Sequence, residues 1–290
     1  MPLPMQVVTH PDYDGVGRRL APLLDAELIL GTTKRFPDGE VYARLPADTR
    51  LEPGTVVVGA TRGNDRLIET LFLLDAVQRA GGRTPRLLLP YVAYARQDRL
   101  FEPGESVSAA VVGRALGHGL GLVVGLDVHA PGVLDHFGCD ARQASAVEDL
   151  ARHLATLGVD TVLAPDKGAL ERARAAAGVL GCPWDALEKT RLSSTEVRMQ
   201  AKSLDVAGRT VAIVDDIIST GGTMATAAGE LKRQGAARVV VAATHGLFSD
   251  GALERLSKGG VDEVVTTDSV PNPAARVTSC LLYTSDAADE

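Results

Sequence analysis

Short apolar runs alternate with longer amphipathic segments along most of the chain. The runs typical of buried strands are Val56–Val58, Leu87–Leu89, Leu122–Leu126, Val162–Ala164, Val211–Val214 and Val239–Ala243. The segments with helical spacing are Arg66–Ala80, Ala109–Leu116, Val147–Leu157 and Thr223–Gln234. This alternation predicts an α/β fold in which helices cover both faces of parallel sheets.

The pattern also repeats within the chain. A glycine, an apolar strand, a polar loop, a helix and a second glycine follow one another from Gly54 to Gly81 and again from Gly208 to Gly235. Each of these units covers 27 positions from its first glycine to its second. Similar lengths also arise by coincidence in α/β proteins. Internal duplication is the favoured interpretation, and it predicts two related parallel-sheet domains.

The duplication suggests where the domains begin and end. We expect an N-terminal domain over residues 1–143 and a C-terminal domain over residues 144–275, with the boundary near Arg142–Ala146. Residues 276–290 lack a comparable amphipathic pattern, and from Ser279 onward they resemble foreign sequence joined to a truncated gene. We interpret this segment as an atypical, non-native tail and assign it no function.

Composition narrows the class of protein. The net charge of −7 argues against a nucleic-acid partner, because phosphate backbones are held by basic surfaces. The cysteines at 139, 182 and 280 are widely spaced and form no C-x-x-C pair, which favours a reducing compartment. The sequence has no apolar run long enough to cross a membrane, and its start lacks the basic region that is typical of a signal peptide. We therefore expect a cytoplasmic protein with no membrane partner.

One segment, Val211–Thr223, has the strongest chemical signal. An apolar strand leads into two carboxylates, Asp215 and Asp216, and then into a turn rich in hydroxyls and glycine that enters a helix. The turn consists of Ser219, Thr220, Gly221, Gly222 and Thr223. Backbone N–H groups and partial positive charge at a helix N-terminus favour phosphate. The carboxylates would repel that phosphate and suit sugar hydroxyls or a divalent cation. A solvated loop is the alternative, but the density of these groups favours a sugar-phosphate site.

Polar segments in the first half are more ambiguous. Pro90–Arg99 follows the run Leu87–Leu89, at the end of a strand where α/β proteins bind ligands, and its arginines can hold phosphate oxygens. Asp127 and His129 close another strand, and His129 can bind a metal ion or a phosphate. A local surface role is equally favoured for both segments. For Lys34–Glu40 we favour a hairpin tip over a contact with a purine.

The second half contributes two further polar segments. Asp166 follows the strand Val162–Ala164 and precedes a tight glycine turn suited to oxyanions or Mg²⁺. Glu188–Arg191 begins a polar stretch that runs to Lys202, and an ordinary flexible loop is its favoured interpretation. Its Lys189 and Arg191 can nevertheless oppose a developing negative charge.

Taken in order, these segments resemble those of ribose-phosphate pyrophosphokinases, the enzymes that make phosphoribosyl pyrophosphate (PRPP). The matching segments are Phe36–Glu40, Tyr94–Asp98, Asp127–Ala130, Pro165–Asp166, Lys189–Arg191 and Val214–Thr223. Phosphoribosyltransferases in general share the last motif, whereas the combination is specific and extends over about residues 5–275. The resemblance implies two phosphoribosyltransferase-like domains, ATP and ribose 5-phosphate as substrates, Mg²⁺ as cofactor and a homo-oligomer.

The resemblance also implies a role for each matching residue. The ATP residues would be Phe36, Asp38, Gly39, Glu40, Arg96 and Gln97, with the adenine contacts of the hairpin supplied by a neighbouring subunit. His129 and Asp166 would serve the Mg²⁺ site. Ribose 5-phosphate would contact Arg191, Asp215, Asp216, Ser219, Thr220, Gly221, Gly222 and Thr223. Lys189, together with Arg191, would be the catalytic side chain that opposes charge on the transferring group.

Two positions depart from the family pattern. Ser219 stands where many members have an acidic residue, which alters ribose contacts but leaves the phosphate turn intact. Lys167 replaces a small residue that is common in the turn after Asp166, and its charge can either help bind pyrophosphate or partly block the turn.

Two other functions compete with this interpretation. A phosphoribosyltransferase would consume PRPP, but it would need a base-recognising hood in place of a degenerate first copy. A non-catalytic regulatory homologue would bind ligands or sister subunits. The presence of Lys189, Arg191, His129 and Asp166 argues against that second alternative.

Overall fold

The computed structural model describes residues 5–191, 197–201 and 205–280, and for residues 131, 188–191 and 197–201 it describes the backbone alone. The chain divides into two compact units. Unit 1 runs to Ser145 and also includes Ser279 and Cys280, whereas unit 2 runs from Ala146 to Thr278.

Unit 1 is built on a six-stranded parallel sheet with the strand order β2-β1-β5-β6-β7-β8. Its strands are β1 (Gln6–Thr9), β2 (Glu27–Leu30), β3 (Thr32–Arg35), β4 (Val41–Arg44), β5 (Val56–Val58), β6 (Arg86–Leu89), β7 (Leu122–Leu126) and β8 (Asp140–Ala144). Its helices are α1 (Asp14–Leu23), α2 (Asn64–Arg79) and α3 (Ser108–Gly117). Strands β3 and β4 form a separate antiparallel hairpin.

Unit 2 is built on a seven-stranded sheet with the order β11-β10-β9-β12-β13-β14-β15. Its strands are β9 (Thr161–Ala164), β10 (Trp184–Arg191), β11 (Val197–Ala201), β12 (Thr210–Ile218), β13 (Arg238–Gly246), β14 (Glu263–Thr267) and β15 (Ala275–Val277). Its helices are α4 (Val147–Thr156), α5 (Leu170–Leu180), α6 (Gly222–Arg233) and α7 (Ala252–Lys258). Neighbouring strands are parallel except for the antiparallel pair β10 and β11.

The central strands are apolar on both faces because helices cover both sides of each sheet. Every residue of β5, β7 and β9 is buried. In unit 1, Leu73 on α2 and Leu116 on α3 pack into this core. In unit 2, Leu231 on α6 does the same. The expectation of an α/β fold with parallel sheets is therefore confirmed.

The two units repeat the same order of elements, which supports the internal duplication. In each, a strand and a helix lead to a second strand and an antiparallel hairpin, and two βα steps and two final strands follow; helix α4 precedes this series in unit 2. The paired glycines occupy equivalent turns. Gly54 N–H donates to Arg83 O at 2.9 Å with φ of +78°, and Gly208 N–H donates to Gly235 O at 2.8 Å with φ of +72°. Positive φ explains why glycine recurs at both positions.

Several expected boundaries were wrong. Strand β12 does not end at Val214 but continues through both carboxylates to Ile218, because Ile217 and Ile218 still pair with β13. The expected flexible loop at Glu188–Arg191 is the last part of β10, which pairs with β11. Strand β8 (Asp140–Ala144) overlaps the boundary expected near Arg142–Ala146. Strand β15 extends to Val277, two residues into the segment that we interpret as a tail.

Candidate functional site

A pocket of about 150 Å³ lies at the carboxyl ends of β9 and β12 in unit 2. Asp166, Asp215 and the turn Ser219–Thr223 line it. The turn leads directly into α6, whose first residue is Gly222. The structure therefore brings together a carboxylate from each of two adjacent strands and a hydroxyl-rich helix N-terminus, as a sugar phosphate requires.

The backbone of the turn is held from outside the pocket. Ser219 O accepts a hydrogen bond from Ser249 N–H at 3.1 Å, and Thr220 O accepts one from the Arg255 guanidinium. Because C=O and N–H point in opposite directions across a trans peptide, these bonds turn the N–H groups of Thr220 and Gly221 to the other side of the loop. Because the carbonyl groups of Ser219 and Thr220 are held in this way, the N–H groups of Thr220 and Gly221 are already oriented to bind an anion.

Gly221 meets two separate demands of this turn. It caps α6 with a φ of +72°, a conformation that costs other residues energy. A Cβ at this position would lie 2.9 Å from Leu256 Cγ and 3.3 Å from Ala252 O, both of which belong to α7. The turn can lie this close to α7 only with glycine at position 221.

The two adjacent aspartates have different surroundings because consecutive residues of a strand face opposite ways. Asp215 lines the pocket, and its Oδ1 accepts a hydrogen bond from Asp216 N–H at 2.8 Å. The Asp216 side chain is buried, and its Oδ2 lies 3.4 Å from an Arg172 guanidinium nitrogen. Arg172 also donates to Gly168 O at 3.2 Å, so it links Asp216 to the turn after β9.

The surroundings of Asp215 raise the pKa of its carboxyl group. Burial, followed by the negative charge of Asp216, raises the pKa of Asp215 to about 7, and Asp166 adds to the shift. A carboxyl group with this pKa is poised between its charged and neutral forms near neutral pH. Sugar hydroxyls or a cation at this position would favour the charged form.

Asp166 organises the second wall of the pocket. Its Oδ1 accepts the Gly168 N–H at 2.8 Å and so caps the short 3₁₀ turn Lys167–Ala169. Asp166, Lys167 and Gly168 are all exposed. An exposed carboxylate beside a phosphate pocket suits Mg²⁺, which is usually held by one or two carboxylates together with substrate phosphates.

The expected catalytic residues lie on the hairpin of unit 2. Lys189 and Arg191 belong to β10, and their backbones pair with Met199 and Val197 of β11. Their side chains lie outside the described part of the structure, so their roles stay predictions.

The same edge of the sheet in unit 1 carries an ion-pair cluster. His10 follows β1, and its Nε2 lies 2.9 Å from Glu69 Oε2 on α2, with both side chains buried. Arg66 reaches Glu69 at 3.2 Å and Asp12 at 2.7 Å. His10 Nδ1 accepts the Asp12 N–H, so Nε2 is the nitrogen that donates to Glu69. Because β1 is the counterpart of β9 and β5 that of β12, this cluster lies beside the loop before α2, which is the counterpart of the phosphate turn.

The candidate adenine residues form the tip of the β3–β4 hairpin, which agrees with the favoured interpretation of Lys34–Glu40 as a turn. Phe36 N–H donates to Glu40 O at 2.7 Å, and Glu40 N–H donates to Asp38 Oδ1 at 3.2 Å. Gly39 has a φ of +96°, as this tight turn requires. Lys34 Nζ lies 4.4 Å from the centre of the exposed Phe36 ring, so the tip presents an aromatic face together with a cation.

The remaining candidates of unit 1 follow two adjacent strands. Arg96 and Gln97 come after β6, and His129 comes after β7. Arg96 and His129 are exposed, whereas Gln97 is half-buried. The buried Asp127 has a φ of +36°, a strained backbone of the kind that accumulates at functional sites. In the described residues no cluster of three or more histidine, cysteine or acidic side chains forms a complete metal site.

Several residues of the site had no clear sequence signal. Arg172 and Arg255 look like ordinary charged positions on helix surfaces, and Ser249 looks like a loop residue. Their roles come from contacts with Asp216, Thr220 O and Ser219 O, which are distant in sequence. Ser249 alone has a positional signal, because it follows a strand and α/β proteins bind ligands at the carboxyl ends of their strands.

Fold and pocket together define a protein with phosphoribosyltransferase-like domains. A family model described as the N-terminal domain of ribose phosphate pyrophosphokinase matches residues 5–118. A model described as the phosphoribosyl synthetase-associated domain matches residues 197–288. The chain belongs to the ribose-phosphate pyrophosphokinase family.

Individual relatives extend over nearly the whole chain. A ribose-phosphate pyrophosphokinase from Methanopyrus kandleri is 44% identical and covers 90% of this chain and 91% of its own length. One from Pyrococcus furiosus is 42% identical, with coverage of 91% and 92%. The crystal structure of phosphoribosylpyrophosphate synthetase from Mycobacterium smegmatis has a TM-score of 0.84 at 28% identity and covers 98% of this chain and 97% of its own. Within the described residues, no helix has the length and hydrophobicity needed to span a bilayer.

Proposed function

We propose that this protein is a ribose-phosphate pyrophosphokinase that acts in nucleotide biosynthesis. The C1 hydroxyl oxygen of ribose 5-phosphate attacks the β-phosphorus of ATP. The bond from that phosphorus to the oxygen shared with the α-phosphorus breaks, so that AMP leaves and the hydroxyl proton is lost. The products are PRPP and AMP.

The observation that carries this proposal is the phosphate pocket of unit 2 in a chain that aligns over about nine-tenths of its length with named pyrophosphokinases. We assign the 5-phosphate to Ser219–Thr223 and the ribose hydroxyls to Asp215. The Asp216 backbone N–H donates to that carboxylate, and the Asp216 side chain is held by Arg172. The turn donates backbone N–H groups, and the carboxylate accepts from hydroxyls, so each part of the sugar phosphate meets the chemistry that it needs.

The nucleotide is assigned to unit 1. Phe36, Asp38, Gly39 and Glu40 present an aromatic face and acceptors for adenine, and Arg96 and Gln97 supply further contacts. The hairpin extends outside the main sheet, which suits a contact with a neighbouring subunit. We therefore propose a homo-oligomer, which sedimentation of the purified protein would test. A cytoplasmic location stays a prediction.

Mg²⁺ is the proposed cofactor, with Asp166 and His129 as the residues that would serve it. The oxygen of Asp166 fits Mg²⁺ well because that ion prefers carboxylates and phosphate oxygens. When bound, the ion would neutralise charge on the phosphates. Lys189 and Arg191 are the proposed catalytic residues, since phosphoryl-type transfer depends on positioning and on neutralising charge.

The decisive experiment mixes purified protein with ATP, Mg²⁺ and ribose 5-phosphate and measures AMP and PRPP. AMP formation that depends on ribose 5-phosphate is the expected result. Tight binding of PRPP without AMP formation would instead indicate a phosphoribosyltransferase or a non-catalytic homologue.

A further inference from the structure

The segment between β6 and α3 in unit 1 is held together by one carboxylate, that of Glu105. Its Oε2 accepts hydrogen bonds from the backbone N–H of Phe101 at 2.7 Å and of Glu102 at 3.0 Å. The same oxygen accepts the side-chain amide of Gln97 at 3.0 Å. Hydrogen bonds to a charged acceptor are stronger than those between neutral groups. Residues 97–105 therefore close around a single side chain.

These contacts determine how the Gln97 amide is oriented. A carboxylate can only accept hydrogen bonds, so the group that faces Glu105 must be the amide nitrogen. The same nitrogen lies 3.4 Å from Arg99 O, which gives its second hydrogen an acceptor. No donor in the described part of unit 1 contacts the amide oxygen. Both donors of the Gln97 amide are therefore engaged within this segment, and its oxygen is left to accept a hydrogen bond from a ligand.

The backbone of Gln97 is held as firmly as its side chain. Its N–H donates to Tyr94 O at 3.1 Å, and its carbonyl accepts from Ala109 N–H at 3.2 Å in the first turn of α3. A free glutamine side chain loses rotamer entropy when it is immobilised. Glu105 takes up that cost before a ligand arrives, and such pre-organisation strengthens binding.

The charge of Glu105 is maintained by the same contacts. The backbone N–H of Glu102, followed by that of Phe101, lowers the pKa of Glu105 below its ordinary value. The carboxylate therefore stays charged at neutral pH and continues to accept all three hydrogen bonds.

We propose that Glu105 is a positioning residue of the nucleotide site, which holds the Gln97 amide so that its oxygen faces the bound ATP. This inference rests on the proposed function, in which Gln97 contacts the nucleotide. It also specifies the contact. The group of ATP that Gln97 meets is a hydrogen-bond donor, the adenine amino group or a ribose hydroxyl, and not a phosphate oxygen, which only accepts.

The test compares Glu105→Ala with Glu102→Ala, a matched control three residues away whose side chain takes no part in these contacts. Loss of the charge-assisted contact should raise KM for ATP about tenfold in Glu105→Ala. KM for ribose 5-phosphate and kcat should stay within about twofold, because the sugar site lies in unit 2. Glu105→Gln keeps an acceptor oxygen and should recover part of the loss.

Nucleotide analogues test the predicted donor directly. Purine riboside triphosphate lacks the adenine amino group, and 2′-deoxy-ATP and 3′-deoxy-ATP each lack one ribose hydroxyl. For wild-type protein, the analogue that lacks the donor bound by Gln97 should have a higher KM than ATP. Glu105→Ala should lose most of that discrimination. An unchanged KM for ATP in Glu105→Ala, or an equal rise in Glu102→Ala, would overturn the proposal.

The proposed function can fail separately. If wild-type protein forms no AMP from ATP and ribose 5-phosphate, the pyrophosphokinase assignment is wrong. The inference about Glu105 is then decided by equilibrium dialysis with labelled ATP. Weaker ATP binding by Glu105→Ala than by Glu102→Ala supports it, and equal binding of the two variants refutes it.

Discussion

The two units use the same strand and helix order but treat the equivalent edge of their sheets in opposite ways. In unit 2, Asp215 and the turn before α6 surround an open pocket. In unit 1, His10 after β1 and Glu69 on α2 meet at 2.9 Å at the same edge of the sheet. This edge carries a polar pocket in unit 2 and buried contacts between protein side chains in unit 1.

The fold therefore permits a phosphate site at this edge but does not require one. Both helices at this edge begin after a glycine with positive φ, Gly63 before α2 and Gly221 before α6. What differs is the chemistry around that shared backbone. Hydroxyls and the carboxylates of Asp166 and Asp215 line the pocket of unit 2, whereas the buried carboxylate of Glu69 in unit 1 contacts His10 and Arg66.

The largest difference should appear between the two hairpins. Lys189→Ala should lower kcat by at least about 10²-fold, the scale of losing one group that stabilises transition-state charge. Lys34 occupies the equivalent hairpin and lies over the Phe36 ring, so Lys34→Ala should change KM for ATP by only a few-fold. Steady-state measurement of AMP formation decides the matter. Near-normal turnover of Lys189→Ala would remove that residue from the catalytic assignment.

The sequence predicted the phosphate turn better than its surroundings, for physical reasons. Hydroxyls and glycines at Ser219–Thr223 are a local signal, because the chemistry of a helix N-terminus lies within a few residues. The end of β12 was missed because Asp215 and Asp216 look like loop residues, although pairing of Ile217 with His245 continues the strand. Pairing partners of this kind are not visible in a local pattern.

Long-range charge contacts could not be predicted at all. His10 and Glu69 are 59 residues apart, and neither stands in a motif. Arg172 looks like a solvated helix residue until the fold places it 3.4 Å from Asp216. Residues of this kind acquire their roles from tertiary packing, which an amphipathic pattern does not encode.

The second effect should come from the glycines that precede α6 and α2, Gly221 and Gly63. Gly221→Val forces a branched side chain into positive φ and against Leu256, so it should shift the phosphate turn. Misplacement by about 1 Å can cost up to about 10²-fold, and we expect a loss approaching that size in kcat/KM for ribose 5-phosphate. Gly63→Val is the matched control, because a Cβ there meets nothing within 4 Å. It should change stability but leave the use of ribose 5-phosphate within a few-fold.

The third effect tests the buried contact between His10 and Glu69 in unit 1. Glu69→Leu leaves the buried His10 without its partner and should lower the free energy of unfolding by about 2 kcal/mol. Glu69→Gln keeps an acceptor for His10 and should cost less. Denaturant unfolding measures both values. AMP formation per folded molecule should stay unchanged, and a selective loss of activity would mean that this cluster serves a ligand after all.

The smallest effect is a pH dependence confined to unit 2. Because the pKa of Asp215 is raised to about 7 from an unfolded value near 3.8, its contribution to the free energy of unfolding is fully present below about pH 4 and is lost as the pH rises to about 7. The side chain of Asp215→Asn has no proton to lose and stays neutral at every pH. Allowing for solvent screening, it should gain roughly 1 kcal/mol relative to wild type between pH 5 and pH 7.5. Denaturant unfolding at both pH values, in the presence of a chelator, measures this difference.

Mg²⁺ gives that last prediction its control. A cation near Asp166 and Asp215 favours the charged carboxylates, so adding Mg²⁺ should lower the pKa of Asp215 and shrink the advantage of Asp215→Asn at pH 7.5. An advantage that is the same at both pH values would show that Asp215 is charged throughout. In that case the carboxylate pair of unit 2 would be as well compensated without ligands as the ion-pair cluster of unit 1, and the contrast between the two edges would be one of shape rather than of stored electrostatic energy.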